Sequence, residues 1–423
     1  MIKGEIVQKA SKIQTVFRSI DHYIEYSMIA VAFFLPLSLN GTTFFLLLGT
    51  ALWLAKMLYY RKVLLRSSPF DKLIGIFVLL SFASVWVSPD KGFSFYNYSH
   101  LMGRYVLIYY LVVHNVHSLG QIKRMVMALL GATFLVNFYG YYQYIFGIDI
   151  SAMEWVDDAQ FPDLKIRVFS TLKNPNLLAS FLVSMIAIAG GLGFYAPDKK
   201  VKTTLLFLVV SCSACLIITY SRGAWISLFA VFAAFGFWHN RKMFWLLLIV
   251  PLLILLAHNG VLERVISIAN PTDTSSTLRI ALWESTWSMI SDHPLFGIGW
   301  GAYYLVYPNY DFFILNGTKI FHAHNMYLNI AAEIGIPAFC VFMLFLWGHA
   351  NLALKLCKKS GNPYIVGLML GAVAAIFGLV VSGLTDYTLF NIQMSMLFWF
   401  LNALIVQAWR LSPRHSGRVK ELN

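Results

Sequence analysis

The chain has 423 residues, 59% of them apolar and only 12% charged, with a formal net charge of +13 at pH 7. Soluble domains are roughly half apolar, so this composition excludes a water-soluble globular protein and points to a chain solvated mainly by lipid. No basic cluster is interleaved with aromatics in the manner of a base-stacking platform, so the positive charge reads as a membrane-topology signal and nucleic acid is not an expected partner.

Residues 1–23 are polar and basic, with Lys3, Lys9, Lys12 and Arg18, and lack the apolar core and small-residue cleavage site of a signal peptide. They are expected to form a cytoplasmic segment. Apolar stretches follow near 24–40, 42–59, 71–88, 101–116, 124–146, 175–195, 203–220, 223–238, 243–257, 325–348, 363–384 and 387–409. Each is long enough, at about 20 residues or somewhat fewer, to cross a bilayer. The expected fold is therefore all-α and polytopic, with about twelve transmembrane helices. The first nine spans occupy 24–257 and the last three 325–409, with a loop over 258–324 and a cytoplasmic tail over 410–423.

Cytoplasmic loops retain Lys and Arg in excess. Lys56, Arg61, Lys62, Arg66, Lys72, Lys123, Arg124, Lys199, Lys200, Lys202, Arg241, Lys242, Lys355, Lys358, Lys359 and Arg410 all fall on one side if the N-terminus is inside. That arrangement puts both termini in the cytoplasm. Cys212 and Cys215 then lie in a span, Cys340 in another and Cys357 in an inner loop, so the C-x-x-C spacing reads as structural and no outer disulfide is expected.

Outer connections are mostly short turns such as Asn40-Gly41, with two exceptions. Residues 147–173 hold Asp149, Glu154, Asp157, Asp158 and Asp163, then Lys165, Arg167 and Lys173. Asp157-Asp158 is the one close acidic pair and reads as a solvated loop. Residues 258–324 form the longest non-spanning stretch, where function is expected to sit. Within it Thr277 to Ser291 reads as a short amphipathic helix, with Ser275 and Ser276 available as caps and a stop before Pro294. Arg279, Trp283 and Trp287 recur at i, i+4 and i+8, a stripe that either anchors the loop at headgroup level or lines a lipid-linked substrate. Gly297-Ile298-Gly299-Trp300-Gly301 has no preceding strand, so it is read as a turn and not as a nucleotide loop.

His322-Ala323-His324-Asn325 stands immediately before the apolar run that begins at Met326. The positive end of a helix dipole disfavours the imidazolium there, and a neutral ring is able to take a proton. A general base, an interfacial cap and a metal ligand are the three readings, and His293 with scattered carboxylates offers no diagnostic ligand spacing for the last. Arg222, Arg279, Arg167 and Lys173 all fall at the outer edge. Each is explicable as a snorkelling cation, and together they suit phosphate or pyrophosphate oxygens. Asp386 at the outer end of a late span is a candidate to orient His324 or meet an arginine. Glu333, about 13 Å along the helix from His324, has Asn325 and Asn329 as candidate partners.

Asn174-Pro175-Asn176, Ser221-Arg222-Gly223-Ala224-Trp225, the Leu278-Arg279 segment with Gly297 to Gly301, and the His324-Asn325 start of a span occur in the order found in the O-antigen ligase and polymerase superfamily. From Arg167 to Asp386 the chain resembles an O-antigen ligase. The family's His-Asn followed by glycine is met by His324, Asn325 and Gly335, whereas its further glycine position is Ala338 here.

The resemblance implies a glycosyltransferase of the GT-C-like membrane class in the bacterial inner membrane, without metal or cofactor. It would move a glycan from undecaprenyl pyrophosphate to lipid A-core oligosaccharide on the periplasmic face, with inversion. On that reading His324 is the base, Arg222, Arg279 and Arg167 bind the donor pyrophosphate, and His322, Asn325, Asp386 and Lys173 support them. Trp283 and Trp287 face lipid or glycan. The alternatives are an O-antigen polymerase or a protein O-oligosaccharyltransferase of the same superfamily, and more distantly a lipid-glycan transporter. A transporter would place charges near the midplane and show an internal repeat, and neither is apparent.

Overall fold

The computed structural model describes residues 20–148, 167–238, 241, 244, 274–312 and 319–412. Regular structure among them is entirely helical. The long helices are α1 (20–34), α2 (Leu39–Tyr60), α3 (Asp71–Val85), α4 (Lys91–Asn115), α5 (Leu119–Phe146), α6 (Pro175–Tyr195), α7 (Lys199–Ile217), α8 (Arg222–Trp238), α9 (Thr274–Asp292), α10 (Met326–Lys359), α11 (Pro363–Ser382) and α12 (Ile392–Arg410).

Seven of these, α2, α5, α6, α7, α10, α11 and α12, are long and apolar enough to cross a membrane, and the chain is a multi-pass membrane protein. The other expected spans differ in instructive ways. The stretch 71–88 yields the 15-residue α3, and 223–238 the shorter apolar α8. The stretch 101–116 is the second part of α4, whose first part carries Lys91, Asn97, Ser99 and His100 and dilutes its hydropathy. The stretch 243–257, apart from residue 244, lies outside the described residues. The first turn sits at 35–37 and not at Asn40-Gly41. Pro36 and the Ser38 cap, whose hydroxyl accepts from the Gly41 N–H at 3.2 Å, place Asn40 and Gly41 inside α2.

Helix starts follow a local code. Asn174 caps α6 and Asn362 caps α11, each followed by a proline at the first helical position, and Asp198 caps α7. Peptide groups within a bilayer have no water to bond, so a capped, closed ladder is what lets such segments span it.

The chain divides into two compact units. Unit 1 comprises Met1–Ser68, Arg104–Ala132 and Met396–Asn423. Three of its basic residues are tied down: Arg124 pairs with Glu25, Lys56 with Asp21, and the Arg410 guanidinium donates to the carbonyls of Val113, Arg66 and Ser67.

Unit 2 comprises Pro69–Gly103 and Thr133–Ser395. Its centre is the pair α6 and α11, buried along most of their lengths. Glycines bring the two backbones together, because a Cβ on Gly191 would lie 2.4 Å from the Gly367 carbonyl oxygen and 2.6 Å from the Gly371 nitrogen. Gly378 continues the seam, with Val183 of α6 and Val231 of α8 each 3.0 Å from where its Cβ would be. Gly191→Leu is expected to force α6 and α11 apart at an overpacking cost of about 1–3 kcal/mol. Thermal unfolding in detergent checks this against Gly75→Leu, a site with open space around it; equal losses in the two variants would contradict the packing.

Candidate active site

The site in unit 2 is built by strapping the start of α10 onto the end of α11. Asn325 caps α10, its Oδ1 accepting the N–H groups of Tyr327 at 3.0 Å and Leu328 at 3.1 Å. Its Nδ2 donates to the Leu384 carbonyl at 3.1 Å, the Met326 N–H donates to Gly383 at 2.8 Å, and the Tyr327 hydroxyl reaches the Val380 carbonyl at 2.7 Å. The last turn of α11 then closes through the Asp386 N–H on Ser382 at 3.0 Å. These bonds carry Asp386 beside the residue that precedes the cap. His324 Nδ1 lies 3.5 Å from Asp386 Oδ1, an ion-pair distance longer than an ordinary hydrogen bond.

His324 occupies the left-handed region at φ 48°, rare for a residue with a Cβ and a mark of a site held by its surroundings. Its N–H donates to His322 Nδ1 at 3.2 Å, and the two rings stand 4.2 Å apart at 65°. Burial, with the neighbouring His324 and Arg279, pushes the His322 imidazole down to about 3, against an opposing pull from Asp386. His322 is thus neutral, as its acceptor role requires. Burial alone would raise the Asp386 carboxyl, but contact with His324 and the proximity of His322 and Arg279 outweigh it and hold Asp386 well below the usual carboxylate range.

Arg279 comes from α9, which starts at Thr274, so Ser275 and Ser276 fall inside its first turn and not before it. α9 packs Leu282, Met289 and Ile290 with Tyr303, Ala323, Ala331 and Ala332. Trp283 and Trp287 line a cavity of about 540 Å³ with Ile280, Glu284, Phe312 and Leu328. One end of that cavity adjoins Arg279 in sequence through Ile280, and the other wall, Leu328, is one turn beyond His324.

Arg222 is the first residue of α8. Gly223 beside it lies against the turn that bears Asp386, since a Cβ there would be 2.9 Å from Thr385 Oγ1. Arg167 braces the approach to α8, with Nε donating to the Thr219 carbonyl at 3.2 Å and Nη2 to Asn176 Oδ1 at 3.3 Å. Lys173 is exposed at φ 61°, before the Asn174 cap, and no contact among the described residues joins it to the histidines. Asp157-Asp158 lies outside the described residues.

The sequence reading missed how the glycine turn is used. Gly335 has φ 80° and ψ 163°, which breaks α10, and Pro337 has no N–H. The carbonyls of Ala332 and Glu333, which lose their helical partners, accept instead from Ile298 at 2.8 Å and Gly299 at 3.1 Å, while the Ile336 N–H donates to Pro294 at 2.8 Å. A Cβ at Gly335 would stand 2.2 Å from the Leu295 carbonyl oxygen, and one at Gly297 2.4 Å from that of Ala332. Pro337 two residues after Gly335 was the available signal.

Chemically, the arrangement offers a base backed by a carboxylate, a second neutral imidazole and cations for an anionic leaving group. His322, His324 and Asp386 also set three ligand-type atoms within 4.8 Å of one another, the grouping among the described residues that is able to hold a metal ion.

No curated protein matches the chain. Residues 207–343 match the family model described as O-Antigen ligase, a stretch that includes Arg222, Arg279, His322, His324, Asn325 and Gly335 and leaves out Arg167, Lys173 and Asp386. Over residues 207–343, about a third of its length, this membrane protein is thus similar to the O-antigen ligase family.

Proposed function

We propose that the protein is an O-antigen ligase that transfers a glycan from undecaprenyl pyrophosphate to lipid A-core oligosaccharide at the periplasmic face of the bacterial inner membrane, without metal and with inversion. The observation that carries this reading is His324 Nδ1 lying 3.5 Å from Asp386 Oδ1, with the charge of Arg279 acting on the same carboxylate. A carboxylate facing Nδ1 favours the tautomer protonated there and leaves Nε2 as the acceptor.

In the proposed step an acceptor hydroxyl gives its proton to His324 Nε2 as its oxygen bonds to the anomeric carbon. The bond from that carbon to the pyrophosphate oxygen breaks, and the leaving group departs with the electron pair. Attack opposite the leaving group inverts the centre. Arg279 and Arg222 stabilise the departing charge, guanidinium forks being matched to phosphate oxygens, and Arg167 supports them from the base of α8. The apolar cavity under Trp283 and Trp287 suits the carrier lipid or the apolar face of a sugar.

The test is transfer by purified protein from lipid-pyrophosphate-linked glycan to lipid A-core in excess chelator. Full activity there, falling about 10²–10⁴-fold in His324→Ala and about 10²–10³-fold in Arg279→Ala or Arg222→Ala, is expected. Loss of parental activity in chelator would favour the metal reading of His322, His324 and Asp386. Extension of the donor glycan alone would assign the polymerase, a protein acceptor the O-oligosaccharyltransferase, and no chemistry with any of them the transporter.

A pH dependence follows from His322. Its folded pKa lies below the unfolded value of about 6.5, so between these the unfolded chain binds a proton that the folded chain does not. Stability from this residue is complete above about pH 6.5 and is lost as pH falls toward 3. Melting temperature against pH is therefore expected to slope less in His322→Phe than in the parent over pH 4–7 (roughly the interval between the two pKa values); parallel curves would contradict it.

A further inference from the structure

Two buried side chains one turn apart on α10, Asn329 and Glu333, are used by none of the steps above, and each holds one half of the site. Asn329 is fully buried, and its Oδ1 accepts the Ala323 N–H at 2.9 Å. Ala323 is the residue between the two histidines, so this bond fixes the backbone whose left-handed turn presents His324. Glu333 is 7% exposed, and its Oε2 accepts the Gly301 N–H at 3.2 Å while its carbonyl accepts that of Gly299. The loop held there runs into Tyr303, whose hydroxyl meets Thr286 Oγ1 of α9 at 2.7 Å with both residues fully buried. α9 is the helix that bears Arg279.

We infer that Asn329 and Glu333 are positioning residues that set the spacing between the His324 base and the Arg279 end of the site, by holding the backbone of Ala323 and of Gly301 from one face of α10. Two features favour this over a packing role. Both are polar side chains buried inside the protein, bonded to each other and to backbone N–H groups, so the pair carries a desolvation cost that apolar residues would avoid. Both acceptors are spent on backbone N–H groups of segments that otherwise have irregular geometry, where a displaced turn moves a functional side chain and not merely a loop.

The kinetic consequences differ for the two residues and rest on the transfer reading. Asn329→Leu, close in size but without the acceptor, is expected to lower kcat at least tenfold with the donor KM within twofold. Glu333→Leu is expected to raise the donor KM at least fivefold, and Glu333→Gln, which keeps an acceptor oxygen, to recover most of that loss. Lowered thermal stability in the Leu variants with kcat and KM per folded molecule unchanged would overturn the inference and leave a structural role. Hydrogen exchange in the full-length protein provides an arm independent of catalysis. The segment 319–328 should exchange at least tenfold faster in Asn329→Leu, and the segment 297–303 in Glu333→Leu, each without change in the other. If the parent transfers no glycan, the transfer reading fails while exchange still decides: segment-specific loss of protection supports the positioning role, and unchanged protection overturns it.

Discussion

The structure around the site depends on a helix that stops being helical for one residue. At Gly335 the α10 backbone takes φ 80° and ψ 163°, and Pro337 removes the next donor. Two carbonyls are left without their helical partners where no water is assured, and an unpaired buried peptide group costs about as much as a lost hydrogen bond. The 294–301 loop supplies the missing groups, donating from Ile298 and Gly299 and accepting from Ile336. The break is therefore a socket for that loop, and the loop is the floor on which α9 and its arginine rest.

The same economy explains why the histidines sit where they do. A helix start exposes N–H groups that need a cap, and Asn325 supplies it with one face of its amide while the other face grips the Leu384 carbonyl. One side chain thus begins α10 and fixes the end of α11, so Asp386 and His324 meet through backbone constraints and not through their own attraction. Their 3.5 Å separation leaves room for that contact to tighten when a proton arrives, which suits a pair that orients a base more than one locked in a permanent ion pair.

Much of this was legible in local sequence. Asn-Pro at the starts of α6 and α11, Asp198 before α7 and Asn325 before α10 are short-range signals, and each caps its helix. The arginine and tryptophan stripe of α9 was visible from its spacing. What was not legible depends on segments far apart in the chain. Nothing near His324 names Asp386 as its neighbour, and nothing near Arg222 shows that Gly223 is needed so that Thr385 can approach. Asn40-Gly41 looks like a turn by residue type, but Pro36 and Ser38 determine the bend first. Hydropathy alone also leaves helix bounds open, since α3 is shorter than its apolar stretch and α4 begins with a polar first half.

Charge placement gives the site its direction. Asp386 is held ionised chiefly by its contact with His324, with Arg279 adding to it against burial, while His322 is kept neutral mainly by burial. One carboxylate is thus shared by a base that must gain a proton and by an arginine that must stay free enough to meet an anion. On the proposed reading, a pyrophosphate that engages Arg279 draws that cation from Asp386, whose leading partner is His324 throughout. Donor binding is then coupled, on that reading, to the contact that orients His324, through a carboxylate that touches neither substrate.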